Sequence, residues 1–367
     1  MMGMWRRYAR PWHVVGAVGL LYVVVTLARY GGDPLAFAVI CPDPQRIPTG
    51  YCGYDGQFAY AIAVNPAGDE LFDVPAYRYQ RILYPILARA TGLGQPGLIA
   101  WTLIAINLIA LIVGSAILEA ILASYDASRW YALAYGLCAG TMMALRLDLT
   151  EPLAYALALG GVWAALQSRA FWCGALFALA ALTKETTLVM ATGVAASYAV
   201  RRDVRNALTV AAFALMPFIA WQFALHMRFG QFGIASGGAL GTPFEVIPLR
   251  GWWSLAAIHL GAFAVISLIM LPMAIIPALL GLWCSLRDFA RRHTDLPALL
   301  LFTSAVGVLF APQSTFREPL GMARFVVGLV AATLVYAASR RSKRGLNYAL
   351  LWTFTLALAL NESSLPV

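Results

Sequence analysis

Long apolar runs alternate with short charged turns along most of the chain. Eleven of these runs have a length suited to crossing hydrocarbon, although several are short of the ~20 residues that a full crossing needs. A segment inside lipid must satisfy its own backbone hydrogen bonds, which favours helices. The pattern therefore predicts an all-α, polytopic transmembrane helical bundle. The predicted spans are residues 12–29, 97–122, 130–145, 152–167, 171–184, 186–200, 206–225, 254–283, 297–311, 322–338 and 346–361.

One long segment interrupts this pattern. Residues 31–93 contain no run apolar enough to cross, and a loop of this length is uncommon unless it has a function. Within it, residues 55–65 and 77–89 place apolar side chains at helical spacing. Both stretches predict amphipathic interfacial helices lying along the membrane surface. Ordinary loop helices packed on the protein are the alternative.

Composition places the whole chain, residues 1–367, in one transmembrane domain. It is 61% hydrophobic and only 12% charged, with a mean hydropathy of +0.73, which lies outside the range of soluble domains. The net charge of +9 comes from basic residues clustered between apolar runs. Because orientation in a membrane explains such clusters, we expect the lipid bilayer, and no nucleic acid, as a partner.

The distribution of Lys and Arg predicts the orientation. With a cytoplasmic amino terminus, every cytoplasmic loop holds a basic residue, as in the cluster Arg201, Arg202 and Arg205. The loop 31–93 then lies outside. The first span has no small-residue cleavage site of the usual kind, so it is interpreted as a retained anchor.

Two of the five cysteines, Cys41 and Cys52, fall in this outside loop. In an oxidising compartment they could form a disulfide beside Asp55, and two free thiols are the alternative. The other cysteines lie in apolar spans and are expected to pack there.

The predicted outside turns carry both acids and bases, whereas the cytoplasmic loops carry mostly Arg. This asymmetry marks the outer face as the working side. Several of these charges have alternatives: Asp55 as a helix N-cap, Arg78 and Arg81 as headgroup contacts, Lys184 and Glu185 as a pair that ends two helices. The charged residues of the turns are Asp55, Arg78, Arg81, Arg146, Asp148, Glu151, Lys184, Glu185, His226, Arg317, Glu318 and Arg324.

A carboxylate near several cations at a lipid–water boundary suits group transfer from a lipid-linked phosphate. Arg and Lys hold phosphate and stabilise the leaving anion. An Asp within hydrogen-bond reach takes the proton of an incoming hydroxyl. A polyprenyl-phosphate donor is accessible on the outer side, where soluble nucleotide sugars are not.

The chain resembles the GT-C class of membrane glycosyltransferases, in particular bacterial members akin to the mannosyltransferases of glycolipid-anchor assembly. The resemblance lies in Tyr54-Asp55-Gly56-Gln57 early in the first outside loop, in the segment Tyr77 to Pro85, in the turn Leu182 to Thr186, and in Arg317-Glu318-Pro319 with Arg324. It implies a bacterial inner-membrane protein whose active site faces the periplasm or exterior.

The resemblance also implies roles for residues. Asp55 would be the catalytic base of an inverting transfer to a lipid, glycan or protein acceptor, without a cofactor. A lone Asp55 in place of an Asp-x-Asp pair does not indicate a divalent metal, although one remains possible. Arg146, Lys184, Arg317 and Arg324 would bind the donor phosphate. Candidate contacts to substrate or headgroup are Tyr54, Gln57, Arg78, Arg81, Asp148, Glu151, Glu185 and His226.

Two other functional classes fit the sequence less well. A transporter or flippase of a lipid-linked substrate would need polar residues at mid-membrane, reachable from both faces. Here the charges gather at the outside ends of spans, with Glu119 the main exception. A metal-dependent hydrolase lacks support, because no two of the histidines form a close ligand pair such as HxxxH.

Overall fold

The structure, a computed structural model, describes residues 9–49, 52–68 and 72–360. Residues 50–51 and 69–71 of the predicted first loop, and the tail 361–367, therefore lie outside the described residues. The described residues are predominantly helical and contain no β-strand, in agreement with the predicted all-α class.

The helices used below are labelled in chain order. They are α1 (Pro11–Arg29), α2 (Asp55–Val64), α3 (Pro75–Tyr79), α4 (Leu83–Thr91), α5 (Pro96–Ser124), α6 (Ala139–Arg146), α7 (Glu151–Leu166), α8 (Ala170–Thr183), α9 (Leu188–Val200), α10 (Val204–Phe229), α11 (Leu260–Ala290), α12 (Leu296–Leu309), α13 (Pro319–Phe325) and α14 (Val327–Ser339). Shorter α-helices are Leu35–Ala38, Leu133–Gly136, Arg250–Trp253, Leu255–Ile258, Gln313–Arg317, Lys343–Ala349, Leu351–Phe354 and Leu356–Leu360.

Several of these helices are long and apolar enough to cross a membrane, which makes this a membrane protein. Among the described residues four helices meet that test, namely α1, α5, α10 and α11. Helices α13 and α14 pass together as a fifth, bent by 43° at their junction. Helices α7, α8 and α12 are apolar but shorter. The finer expectation of eleven spans stays a prediction.

The bundle packs around α7, whose small residues admit close neighbours. Helix α7 lies against α5 on one side and α8 on another, and α8 packs in turn on α10. A methyl group added at Gly161 of α7 would lie only 2.8 Å from the ring of Phe177, so glycine is needed for this close approach. Close packing of small residues drives helix association in lipid, where apolar side chains gain little from leaving the solvent. The arrangement gathers the turn before α7 and the turn after α8 at the same end of the bundle.

The first predicted loop helix is present and packs into the bundle. Helix α2 spans Asp55–Val64, close to the predicted 55–65, and buries Phe58 and Ile62. It contacts α4 and α5. Its second residue, Gly56, lies directly against the backbone carbonyl of Leu147, so the start of α2 is held beside the turn that precedes α7.

The second predicted loop helix, 77–89, is not continuous. The structure has two short helices, α3 and α4, separated by a break at residues 80–82. Pro85 is the cause: it lacks an N–H and clashes in a helix interior, yet it is tolerated in the first turn of a new helix. Tyr84 and Ala88 of α4 are buried, while Ile86 on the predicted apolar side is 39% exposed; the interfacial position of this segment stays a prediction.

The loop before α2 is closed by a disulfide between Cys41 and Cys52. The side chain of Gln57 lies across the same loop: its Oε1 accepts a hydrogen bond from the backbone N–H of Cys41 at 3.1 Å, and its Nε2 donates to the carbonyl of Cys52 at 3.0 Å. The buried Gln57 therefore ties this loop to the first turn of α2, where Asp55 also lies.

We expect Gly56→Ala to destabilise the protein, because an added methyl group would collide with the Leu147 carbonyl oxygen and crowd the carbonyl oxygen of Ala38 at 3.1 Å. Overpacking of this kind costs about 1–3 kcal/mol. Thermal unfolding of the detergent-purified protein measures the effect. Gly97 is the matched control, since it is also the second residue of its helix and a methyl group there meets nothing within 4 Å. Equal melting temperatures for the two variants would contradict this packing.

Candidate functional site

A small cavity of about 30 Å³ lies where α2, α3, α13 and the turn before α7 meet. This is room for one or two water molecules, too little for a sugar. Its walls carry three guanidinium groups and three carboxylates, contributed by segments far apart in the chain. These charged residues are Asp55, Arg78, Arg81, Asp148, Glu151 and Arg324.

Asp55 is the first residue of α2, and three guanidinium groups surround its carboxylate. The nearest nitrogen atoms of Arg78, Arg324 and Arg81 lie 2.6, 3.5 and 4.0 Å from its oxygens. Burial alone would raise the pKa of Asp55, but these three cations outweigh burial and hold it well below its usual range. Asp55 is therefore an ionised carboxylate paired with cations. It is the first residue of α2 and not its N-cap, so the N-cap alternative is wrong.

Arg78 has a second partner that the sequence did not reveal. Its Nε and Nη2 donate to the two oxygens of Asp73 at 2.7 and 2.8 Å. The side chain of Asp73 has no exposed area, and its Oδ2 also accepts the backbone N–H of Ala239 at 2.8 Å. The guanidinium carbon of Arg78 lies 3.9 Å from the centre of the Phe58 ring. Fork-shaped pairing and stacking together fix this guanidinium in one orientation.

Arg81 pairs with Glu185. Its Nε and Nη2 donate to the two carboxylate oxygens of Glu185 at 3.1 and 2.9 Å. Burial alone would raise the pKa of Glu185, yet the adjacent Arg81 lowers it to about 2. The same Nη2 of Arg81 also donates a hydrogen bond to the hydroxyl oxygen of Tyr77 at 2.8 Å. The turn after α8 is thereby linked to the segment between α3 and α4.

A third pair lies behind these residues. Nζ of Lys184 donates to Oε1 of Glu151 at 2.8 Å, and both side chains are buried. Nη1 of Arg324 lies 3.7 Å from the same Glu151 oxygen. The Arg324 guanidinium stands 5.1 Å from the Tyr54 ring, whose hydroxyl donates to Glu318. The adjacent Lys184 and Glu185 therefore bind separate partners instead of each other.

Asp148 is the exception to this pairing. It is 1% exposed, and neither of its carboxylate oxygens has a hydrogen-bond partner among the described residues. Burial raises the pKa of Asp148 well above its usual range, and the charge of Arg146 only partly opposes this. Its backbone φ of +48° is uncommon for a residue other than glycine. One cavity thus holds an ionised Asp55 and an Asp148 that favours its protonated form.

The structure places four predicted site residues elsewhere. Arg146 is buried, and its Nη1 donates to the carbonyl of Ala36 at 2.7 Å. Arg317 donates to the carbonyl of Leu240 at 3.3 Å, and the ring of His226 stacks on that of Phe232. Gln57 holds the disulfide loop. None of the four lines the described cavity, so their assigned roles stay predictions.

Comparison with protein-family models, with curated proteins and with solved structures finds no match to this chain.

We expect Asp73→Asn to lower the free energy of unfolding by about 2–3 kcal/mol, because Arg78 would lose a buried charge-assisted pair. Burial would raise the pKa of Asp73, but the hydrogen bonds from Arg78 lower it. The stabilisation is therefore present above about pH 4 and is lost as the pH falls through the lowered pKa. Denaturant unfolding at neutral and acid pH measures it.

Asp126→Asn is the control for this prediction. Asp126 also pairs with an arginine, Arg341 at 2.9 Å, but their side chains are 80% and 78% exposed. Exposed ion pairs contribute little. If Asp126→Asn lowers the free energy of unfolding as much as Asp73→Asn does, burial of the Asp73–Arg78 pair adds nothing to its stabilising effect.

We expect Asp148→Asn to remove a pH-dependent loss of folding stability. Above about pH 4 the unfolded chain releases the Asp148 proton, while the folded protein retains it up to the raised pKa. Wild-type stability should fall relative to the variant across this interval, by up to about 1.4 kcal/mol per pH unit. Melting temperatures of both proteins at several pH values between 4.5 and 7.5 test this. A constant difference over that range would mean that Asp148 titrates normally.

Proposed function

We propose that this protein is an inverting glycosyltransferase with a GT-C-like fold of about eleven spans. It would move a sugar from a polyprenyl-phosphate donor to a lipid, glycan or protein acceptor at the extracytoplasmic face of a bacterial inner membrane. The observation that carries the proposal is the position of the Asp55 carboxylate within 4.0 Å of three guanidinium groups, at the end of an apolar helical bundle.

Arg324 is the cation best placed to receive the donor phosphate. Its contacts to Asp55 and Glu151 are 3.5 and 3.7 Å long, longer than a charge-assisted hydrogen bond, and its buried Nε has no hydrogen-bond partner among the described residues. A phosphate could therefore satisfy donors of Arg324 without breaking a short pair. Arg78 and Arg81, by contrast, are held by short contacts to Asp73 and Glu185.

The proposed reaction is a single in-line displacement at the anomeric carbon of the sugar. The acceptor hydroxyl oxygen forms the new bond to that carbon as the bond to the phosphate oxygen breaks. The electron pair leaves with the polyprenyl phosphate, whose developing charge Arg324 stabilises. The acceptor proton goes to Asp55.

The surroundings of Asp55 limit when it accepts that proton. With its pKa lowered by three cations, Asp55 is a weak base toward a neutral hydroxyl. The hydroxyl becomes acidic only as its oxygen bonds to the anomeric carbon, so proton transfer follows bond formation. An incoming phosphate would also neutralise part of the positive charge and raise the basicity of Asp55. Donor binding would thus prepare the base.

The cavity must widen before a sugar can enter, because its present volume is about 30 Å³. Residues 237–243 offer one means, since their hydrogen bonds to other segments are few. The N–H of Ala239 binds Asp73, and Thr242 shares hydrogen bonds with Ser314. Displacement of this segment would expose Arg78 without disturbing the helices.

We expect Asp55→Asn to reduce transfer by about 10²–10⁴-fold, the usual contribution of a general base, with the protein still folded. Transfer from a panel of polyprenyl-phosphate sugars to lipid acceptors, with purified protein in liposomes, measures it. Asp33→Asn is the control: Asp33 lies in the same predicted loop, is exposed, and its carboxylate accepts the N–H of Leu35, which Asn also does.

Full activity of Asp55→Asn would remove Asp55 as the base. If the wild-type protein transfers no sugar from any donor but moves a lipid-linked substrate across the liposome bilayer, the transporter or flippase alternative replaces the proposal.

A further inference from the structure

A second charged site lies at the other end of α5. The hydroxyl of Tyr84, near the cavity, binds the carbonyl of Leu103 at 3.0 Å. Glu119 follows Leu103 by 16 residues, a distance of about 24 Å along a helix. A groove of about 800 Å³ opens there between the start of α1 and the end of α5. We call it the Glu119 groove; its lining includes Arg10, Trp12, His13, Glu119, Arg129 and Trp163.

Only one of the two carboxylate oxygens of Glu119 has a hydrogen-bond partner among the described residues. Glu119 is 4% exposed, and its Oε1 lies 2.7 Å from Nη1 of Arg10 and 3.8 Å from Nη1 of Arg129. Its Oε2 is buried with no hydrogen-bond partner among the described residues. A carboxylate oxygen only accepts hydrogen bonds, and leaving one buried and unpaired is costly. The groove therefore provides an acceptor suited to a cationic N–H donor.

The two arginines give the same groove a positive side. The side chains of Arg10 and Arg129 are 43% and 48% exposed, so each guanidinium also faces the groove or solvent. Their two charges exceed the single charge of Glu119. An anion such as a phosphodiester would bind here, with Arg forming paired hydrogen bonds to its oxygens.

The depth of the groove identifies the kind of ligand. Helix α5 has 29 residues and is about 43 Å long, whereas the hydrocarbon core is about 30 Å thick. Glu119, five residues before the end of α5, therefore lies near the headgroup level. Trp12 and Trp163 line the groove, and tryptophan is enriched at this level of a membrane. A molecule with both a cation and a phosphodiester at this depth is a zwitterionic phospholipid.

We propose that the Glu119 groove binds a phospholipid with a primary-amine headgroup, such as phosphatidylethanolamine. The ammonium group donates a hydrogen bond to the carboxylate of Glu119, which lines the groove, and the phosphate lies against Arg129 and Arg10. Phosphatidylcholine has the same charges but no N–H to donate. Phosphatidylglycerol keeps the phosphate but lacks the cation. This site is independent of the reaction proposed for the cavity.

Lipid binding to the full-length, delipidated protein tests the proposal. Native mass spectrometry in detergent would compare phosphatidylethanolamine, phosphatidylcholine and phosphatidylglycerol of identical acyl chains. We expect the ethanolamine lipid to bind about tenfold more tightly than the choline lipid, as one charge-assisted hydrogen bond allows. The series bearing one, two and three N-methyl groups should lose affinity as N–H donors are removed.

Three variants separate the two halves of the site. Glu119→Gln should bind the ethanolamine and choline lipids equally, whereas Arg129→Ala should weaken the binding of both. Asp126→Asn is the control, because its carboxylate lies just beyond α5 yet pairs with Arg341 and does not line the groove; it should bind lipid as the wild type does.

Equal affinity of the wild-type protein for the ethanolamine and choline lipids would overturn the proposal, and so would tighter binding of phosphatidylglycerol. The N-methylated lipids are compared on the wild-type protein alone, so this comparison tests the proposed hydrogen bond even if Glu119→Gln does not fold.

Discussion

The ion pairs of Arg78 with two aspartates are the interactions on which the candidate site depends. Its guanidinium joins Asp73, from the segment before α3, to Asp55, at the start of α2. Asp73 in turn holds the backbone of Ala239. A buried charge must be paired, and removing one partner of such a pair is strongly destabilising. Two parts of the first predicted loop and the distant residue Ala239 are thus held around one cation, which fixes the position of Asp55.

The same interaction explains why the cavity is small. Each arginine on its wall already has a carboxylate partner, so the charges attract one another and draw the walls together. A substrate phosphate must therefore compete with carboxylates of the protein. The shortest contact of Arg78 is 2.6 Å, to Asp55, and that of Arg81 is 2.9 Å, to Glu185, whereas the two contacts of Arg324, to Asp55 and Glu151, are 3.5 and 3.7 Å. The long contacts of Arg324 leave it the arginine whose partners are most easily exchanged.

Much of this convergence could be predicted from the sequence. Alternating apolar runs and turns predict that Asp55, Glu151, Glu185 and Arg324 belong to one end of the bundle, and the structure brings these side chains together. The charge at each turn is visible because the flanking runs are apolar. Spacing alone does not reveal which acid pairs with which base.

The contacts that escaped prediction depend on local backbone direction. Asp73 lies outside any periodic segment, so nothing in the sequence marked it as the partner of Arg78. Arg317 and Arg324 fall in one turn of the sequence, but Arg317 ends a short helix and Pro319 begins another. The change of direction at Glu318 leaves Arg317 beside Leu240 and Arg324 beside Asp55. The break before Pro85 likewise turns one predicted helix into α3 and α4.

Asp55 and Asp148 show how one fold gives two identical side chains different protonation states. Three cations surround the carboxylate of Asp55, so its charged form is stabilised. Asp148 has a buried carboxylate without hydrogen-bond partners among the described residues, so its neutral form is favoured. Two carboxyl groups whose environments push their pKa values apart can serve as proton acceptor and proton donor in the same cavity. The difference arises from packing: Gly56 brings the start of α2, with Asp55, against Leu147, and the next residue, Asp148, lies buried in the wall of the same cavity.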